Sequence, residues 1–297
     1  MIDKGMSDKD IIDKLCIIGV GLIGSSLSLA LKREAAVGEV IGYGRNQANL
    51  EKGVELGVLD RYETTIAATV EGADVIVVAV PLGAMQTVFA EIAKSARNDA
   101  VITDVGSAKG SVVQAALAEF GDSVSRFVPG HPIAGGEQSG VEAGYATLYQ
   151  GRRVILTPLA QTDAAASARI EAMWRRCGAD IEYLDVEHHD KVLAATSHLP
   201  HMLAYALVHQ LSSLNDHEEI FRYAAGGFRD FTRIASSDPV MWRDVCIANG
   251  DALVDLIEQY QHELNSIAQA IRTADADELL RLFSHAKSQR DLQIGSC

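Results

Sequence analysis

This sequence predicts an α/β fold in which an N-terminal Rossmann-type parallel-sheet domain is followed by an all-helical dimerisation domain. Three observations carry the prediction. Short apolar runs alternate with helical stretches through the first half, a Gly-x-Gly-x-x-Gly turn follows the first run, and strand-like runs stop after about Val186. In order, residues 15–18, 40–43, 75–80, 101–103, 126–128 and 154–156 read as buried strands, and 179–184 adds one more. Between them, 25–34, 49–56, 85–95 and 109–120 read as helices. Strand then helix, repeated, gives a parallel sheet covered on both faces. The remainder reads as helices over 188–212, 216–225, 239–271 and 275–291. These patterns place a dinucleotide-binding domain over 1–185 and a helical substrate-binding and dimerisation domain over 186–297, with a short hinge near 184–188. The third helical stretch holds apolar residues at 3–4 spacing for several turns, from Val245 to Ile267. Such a stripe exceeds what a few short neighbours can cover, so it is expected to pack against a second subunit as a homodimer.

Charge narrows the function. The 297 residues carry 26 basic and 40 acidic side chains, a formal charge of −14. An acidic chain is a poor partner for nucleic acid or an anionic membrane, since both need a basic face. No apolar run approaches the roughly 18 residues that span a bilayer, and the N-terminal stretch is polar rather than a secretory signal. Cys16, Cys177, Cys246 and Cys297 are far apart. Their spacing suits a reducing cytoplasm and gives no sign of structural zinc.

The first strand runs directly into Gly19-Val20-Gly21-Leu22-Ile23-Gly24, which opens the first helix. The first glycine allows the tight turn, the second lets a pyrophosphate approach the backbone, and the third allows close helix–sheet packing. The diphosphate then meets free N–H groups at the helix start. Candidate cofactor contacts are therefore Gly19, Gly21, Leu22, Ile23 and Gly24. Val80 and Pro81 join them from the end of the 75–80 strand, and Ser107 from the end of the next. An NAD site ordinarily ends its second strand in Asp or Glu to hold the ribose hydroxyls. Here Gly44 stands in that place and Arg45 follows. Arg45 can stack on adenine or pair with a 2′-phosphate, or it is a surface residue at a strand end. The cofactor is thus NAD or NADP, with the preference open.

His131, in Gly130-His131-Pro132, is the only histidine of the first 187 residues. On a rigid turn at the sheet edge, a neutral imidazole can accept a proton from a hydroxyl as hydride leaves its carbon. Ser107, in Thr103-Asp104-Val105-Gly106-Ser107-Ala108-Lys109, reaches the same edge. In Ser197-His198-Leu199-Pro200-His201 the two imidazoles share a helix face, and Pro200 is expected to kink the helix. His188, His189 and Asp190 lie nearby, but the spacing matches no standard metal-ligand pattern, so no metal is expected. Gly226-Gly227-Phe228-Arg229-Asp230-Phe231-Thr232-Arg233 reads as a glycine turn with two guanidinium groups, either of which suits a carboxylate. Asp238 and Pro239 read as the cap and first turn of the next helix.

GVGLIG, TDVGSAKG, GHPIAGGEQSGVEAG, SHLPH and GGFRDFTRIASSDPVMW, in this order, resemble the prephenate/arogenate dehydrogenase family of tyrosine biosynthesis over residues 15–291. The resemblance implies a Rossmann-type domain followed by helices that dimerise by intertwining. It also implies oxidative decarboxylation of a cyclohexadienol, with hydride passing to the nicotinamide. His131 matches the histidine that deprotonates the hydroxyl, Ser107 the serine that aligns it, and Arg233 the arginine that binds a substrate carboxylate. His201 and Ser197 match contacts at the substrate side-chain end, and Glu137 and Asp230 match supporting or gating groups. Gly226 and Trp242 match residues lining the cleft near the partner subunit. Both ligands are anionic and the helical half is itself acidic. A local positive cleft is therefore expected, built from Arg233, Arg229, His198, His201, the first helix's N-terminus and Arg45. Two other readings compete. One is a dehydrogenase for 3-hydroxy acids or imines, which ordinarily relies on a lysine in the helical half, where Lys191 precedes the histidine pair. The other is a non-catalytic NAD(P) sensor.

Overall fold

The computed structural model describes residues 12–136 and 138–293. They form two compact units, one ending at Gly250 and one beginning at Asp251.

The first unit opens with β1 (Ile12–Ile18), α1 (Leu22–Arg33), β2 (Val37–Tyr43), α2 (Gln47–Glu55), β3 (Arg61–Tyr62), α3 (Ile66–Val70) and β4 (Val75–Val78). It continues with α4 (Met85–Ser95), β5 (Val101–Asp104), α5 (Lys109–Phe120) and β6 (Phe127–Val128). These strands make one six-stranded sheet, in the order β3-β2-β1-β4-β5-β6, with every pairing parallel. Parallel strands need crossovers, and helices on both faces bury them, which is why all four residues of β4 and of β5 are buried. One core gathers Leu15, Ile17, Val75 and Val77 with α1, and the other gathers Cys16, Ile18, Ile76 and Val78 with α4 and α5. Alternate residues of each strand thus feed opposite faces. The strand order reverses between β1 and β4, and such switch points open the ligand crevice of doubly wound sheets.

Three further strands, β7 (Gly130–Pro132), β8 (Arg153–Leu156) and β9 (Asp180–Tyr183), make a separate small sheet, with α6 (Ala164–Arg176) between β8 and β9. This corrects the single-sheet expectation for 154–156 and 179–184. β8 pairs antiparallel with β7, His131 opposite Ile155, so it cannot extend the parallel sheet. His131 accordingly sits within a short strand rather than on a turn.

The helical part begins with α7 (Val186–Leu193), a π-helical turn (Ala194–His198) and α8 (Leu199–Ser212). Pro200 lies in the first turn of α8, directly after the π-helical turn. The backbone stays helical from α7 through that turn into α8, so the helical run is continuous and its regular ladder is interrupted just before the proline. α9 (His217–Arg222) is followed by α10 (Gly226–Thr232), so the expected glycine turn is a helix start; neither Gly226 nor Gly227 takes a positive φ. α11 (Pro239–Ala248) carries the expected cap, Asp238 accepting the Met241 N–H at 2.8 Å. The expected long helix over 239–271 is two, because Asn249 leaves helical geometry before α12 (Gly250–Arg272). The second unit holds α12 and α13 (Ala276–Gln293). Leu264, Ile271, Leu280 and Phe283 remain exposed on the single chain. Among the described residues, no helix is long and apolar enough to cross a membrane.

Candidate active site

The crevice is built first by glycine geometry. Gly19 has φ of +101°, and a Cβ there would stand 2.3 Å from the Ala79 carbonyl oxygen, so β1 and β4 exits lie too close for any side chain. A Cβ on Gly24 would meet the Gly19 carbonyl oxygen at 2.5 Å, which fixes α1 against the turn. Gly21 differs. Nothing lies within 4 Å of a Cβ there, and it caps α1 with no side chain on the helix N–H groups and no acid in the first turn. The turn therefore offers open backbone donors to an anion. Leu22 and Ile23 start the helix, while Val80 and Pro81 follow β4 across the crevice. Arg45 lies beyond the end of β2 and is exposed.

Along the sheet edge, β5 ends in Asp104 and α5 begins at Lys109, and both side chains are fully buried. Lys109 Nζ donates to Asp104 Oδ2 and, at 2.7 Å, to the Gly130 carbonyl. Asp104 also accepts the Gly106 N–H at 2.7 Å and the Gly130 N–H at 3.2 Å. One ion pair therefore ties the Ser107 loop to the residue preceding His131. Burial pulls the Lys109 pKa down, while Asp104 and Asp190 oppose it.

His131 is 8 % exposed, and its Nδ1 lies 2.9 Å from His189 Nε2. His189 is fully buried, with Nδ1 2.8 Å from Asp190 Oδ1. A carboxylate only accepts, so His189 Nδ1 donates to it. With His189 neutral, its Nε2 accepts from His131 Nδ1–H, which leaves the lone pair of His131 on Nε2. This tautomer is assigned from the hydrogen-bond chain. Burial, then the His189, Lys109 and His198 rings and charge, hold the His131 pKa well below 6.5. It is a neutral base at physiological pH. Burial opposes ionisation of Asp190, yet the His189 bond and the Lys109 and Gly110 N–H groups, at 2.7 and 2.8 Å, hold its pKa below 3.8.

A second cluster adjoins the first. Asn249 donates to the Asp190 carbonyl at 2.8 Å and, at 3.2 Å, to Nδ1 of the buried His198. His198 Nε2 has no hydrogen-bond partner, and the polar group it faces is the Ser107 backbone. His201 donates from Nδ1 to the Ser197 carbonyl at 2.9 Å and stacks on Trp242 with ring centroids 3.6 Å apart. Its pKa is lowered by burial first and by the Arg233 charge in addition, while Ser197 opposes them. Arg233 therefore lies within electrostatic reach of His201. The structure thus gathers Ser107, His131, His198, Ser197, His201, Trp242 and Arg233 around one stretch of α7, the π-helical turn and α8. Gly226 and Asp230 lie on α10, which packs against α8. Glu137 lies outside the described residues.

One expectation is corrected by this geometry. Burial takes the His198 pKa down to about 4, so His198 is neutral and adds no positive charge to the cleft. Sequence reasoning also passed over Asp104, Lys109, His189, Asp190 and Asn249. An Asp at a strand end five residues before a Lys at a helix start was a usable signal for the first pair. The His–Asp step was noticed only as a metal candidate; among the described residues no group of three or more potential ligands could hold an ion.

Two family models match: the nucleotide-binding domain of prephenate dehydrogenase over residues 27–183 and the prephenate dehydrogenase dimerization domain over 185–285. The chain belongs to the prephenate dehydrogenase family. The cyclohexadienyl dehydrogenase of Zymomonas mobilis is 38% identical over 278 residues, 93% of this chain and 94% of that one. The prephenate dehydrogenase of Bacillus subtilis is 36% identical, over 94% of this chain and 76% of its own length. Among solved structures, prephenate dehydrogenase from A. aeolicus in complex with hydroxyphenyl propionate and NAD+ superposes with a TM-score of 0.88. It has 36% identity and covers 97% of this chain and 99% of its own. Prephenate dehydrogenases and this chain share the Rossmann-type sheet followed by a mostly helical C-terminal part, as the sequence predicts.

Proposed function

We propose that this chain catalyses NAD(P)-dependent oxidative decarboxylation of prephenate, arogenate or both, in tyrosine biosynthesis. The observation that carries this reading is the chain Asp190–His189–His131, which leaves a neutral Nε2 at the sheet edge. The open backbone at Gly21, with no side chain or acid over the helix start, fits the dinucleotide's pyrophosphate; Gly19, Leu22, Ile23, Gly24, Val80 and Pro81 complete that wall. The nicotinamide, when bound, supplies the hydride acceptor.

The chain's residues do the rest. His131 Nε2 takes the proton of the ring hydroxyl as its carbon gives up hydride. The ring carboxylate departs as carbon dioxide, its electron pair completes the aromatic ring and leaves the oxygen as a phenolate, and His131 returns the proton to that oxygen. Aromatisation drives the step, so the protein needs a base, alignment and anion contacts rather than a metal ligand set. Ser107 aligns the hydroxyl and the nicotinamide. Arg233 binds a substrate carboxylate, while His201, Ser197 and His198 contact the substrate's far end. Asp230, Gly226 and Trp242 shape the entrance, and Glu137 is assigned with them on the family pattern. Exposed apolar side chains of α12 and α13 support a homodimer through the helical part. We assign the functional boundary to 185/186, a cytoplasmic location from the reduced cysteine pattern, and no nucleic-acid partner from the charge.

A spectrophotometric assay pairing prephenate and arogenate with NAD and NADP tests the reading. Reduced nicotinamide should form in at least one pairing. No reduction in all four would sink it.

A further inference from the structure

Val80 and Pro81, assigned above to the cofactor wall, run straight into a single helical turn, Leu82–Ala84. That turn is held from two sides. On one side Leu82 lies against the Ser107 loop, so closely that a Cβ on Gly106 would come within 2.8 Å of Leu82 Cδ2. On the other side the Gly83 N–H donates to Oδ2 of Asp244, on α11, at 3.2 Å. The partners of this bond are 161 residues apart along the chain and join the sheet domain to the helical part.

The contact accounts for the glycine at 83. Gly83 does not take a positive φ, so its backbone does not call for glycine. A Cβ there would stand 2.9 Å from Asp244 Oδ2 and 3.3 Å from its Cγ, and would push the carboxylate off the N–H. The Asp244 side chain is only 9 % exposed, and its Oδ1 accepts from the Arg243 guanidinium at 2.6 and 2.9 Å. With one oxygen on a neighbour in its own helix and the other on a distant backbone N–H, the carboxylate is fixed in orientation. Two residues earlier, Trp242 is buried and stacks on His201 with ring centroids 3.6 Å apart. One turn of α11 therefore meets the substrate cleft at Trp242 and the cofactor wall at Asp244.

We infer that Asp244 is a positioning residue: through the Gly83 N–H it locks the cofactor wall to α11, so that a dinucleotide bound against Val80 and Pro81 also fixes Trp242 and His201. This rests on the dinucleotide site proposed above, not on the identity of the substrate.

The test is hydrogen–deuterium exchange of the whole protein, followed over residues 239–248, with and without saturating NAD or NADP. In the wild-type chain the dinucleotide should slow exchange in α11 by at least ~5-fold, the lower end of ordinary coupling between sites. Asp244→Ala removes the acceptor and Gly83→Ala displaces it from the other side, so each should abolish that protection. Asp244→Asn keeps an accepting oxygen and should retain it. Arg243→Ala breaks only the exposed ion pair and should leave it unchanged. In steady-state kinetics the two alanine variants at 244 and 83 should lower kcat by ~10-fold with the dinucleotide KM within ~2-fold, since misplaced groups cost rate before binding. Protection that survives Asp244→Ala or Gly83→Ala, or an equal loss in Asp244→Asn or Arg243→Ala, would overturn the inference. Wild-type turnover with no protection of α11 would sink it and leave the dehydrogenase intact. Protection that both alanine variants abolish, in a chain that turns over neither prephenate nor arogenate, would support the inference while the dehydrogenase reading fails. Failure of the wild-type chain to bind either dinucleotide would overturn the inference together with the site it rests on.

Discussion

The surroundings of His131 and the segment from Gly226 to Trp242 serve the same proposed reaction but are built in opposite ways. Around His131 the ionisable groups are buried and bonded to one another: Lys109 to Asp104, His131 to His189, His189 to Asp190. Around Arg233 the guanidinium and its neighbours Arg229 and Asp230 are exposed, and α10 buries no residue. The contrast follows from the two tasks. A general base must be neutral and aimed at one atom, so it gains from a low dielectric and a fixed tautomer. An anion contact must stay charged and reachable, so it gains from solvent and mobility. Trp242 marks the border: its ring is buried, yet it stacks on the half-buried His201.

Substitutions should divide along the same line. His131→Asn should lower kcat by ~10²–10⁴-fold with modest change in KM, as for loss of a general base; near-normal turnover in steady-state kinetics would remove His131 from the mechanism. Lys109→Met strands the buried Asp104 charge and should destabilise the fold by about 3–5 kcal/mol in urea melts. A change under ~1 kcal/mol would mean that water reaches Asp104, contrary to its burial. Asp190→Asn replaces one of the two accepting oxygens, which serve His189 and the Lys109 and Gly110 N–H groups, by an NH2 that can donate to His189 Nδ1. It should cut kcat by ~10–10²-fold, because the wrong ring tautomer is then free to form. If KM alone moved, the chain of rings would not be orienting the base. On the exposed side, Arg233→Ala should raise KM by ~10-fold and spare kcat. An unchanged KM would shift the carboxylate contact to Arg229.

The same division explains what the sequence revealed. Strand β4 was legible because its four successive apolar, β-branched residues have few other homes, and the glycine turn was legible because its geometry is local. β7 was not, since Gly130-His131-Pro132 has no apolar pattern and is held by Asp104 from another strand. The break at Asn249 was hidden too. The apolar spacing continues through it, and only contacts to Asp190 and His198 draw the residue out of line. α6 had a readable stripe in Ala166, Ile170, Met173 and Trp174, which the helix assignment omitted. The site residues chosen from sequence were those that face a ligand. Those that position them, Lys109, His189, Asp190 and Asn249, are joined by distances across the fold, up to 81 residues apart along the chain.

The central claim is that His131 acts as a neutral base with a depressed pKa. Protonation removes the lone pair, so activity should fall only as pH drops through that pKa, which burial places well below 6.5. The profile of kcat/KM against pH reports groups on the free enzyme. The account predicts an acid limb below pH 6.5 that disappears in the residual activity of His131→Asn. A limb at or above pH 6.5, or one that persists unchanged in His131→Asn, would contradict it.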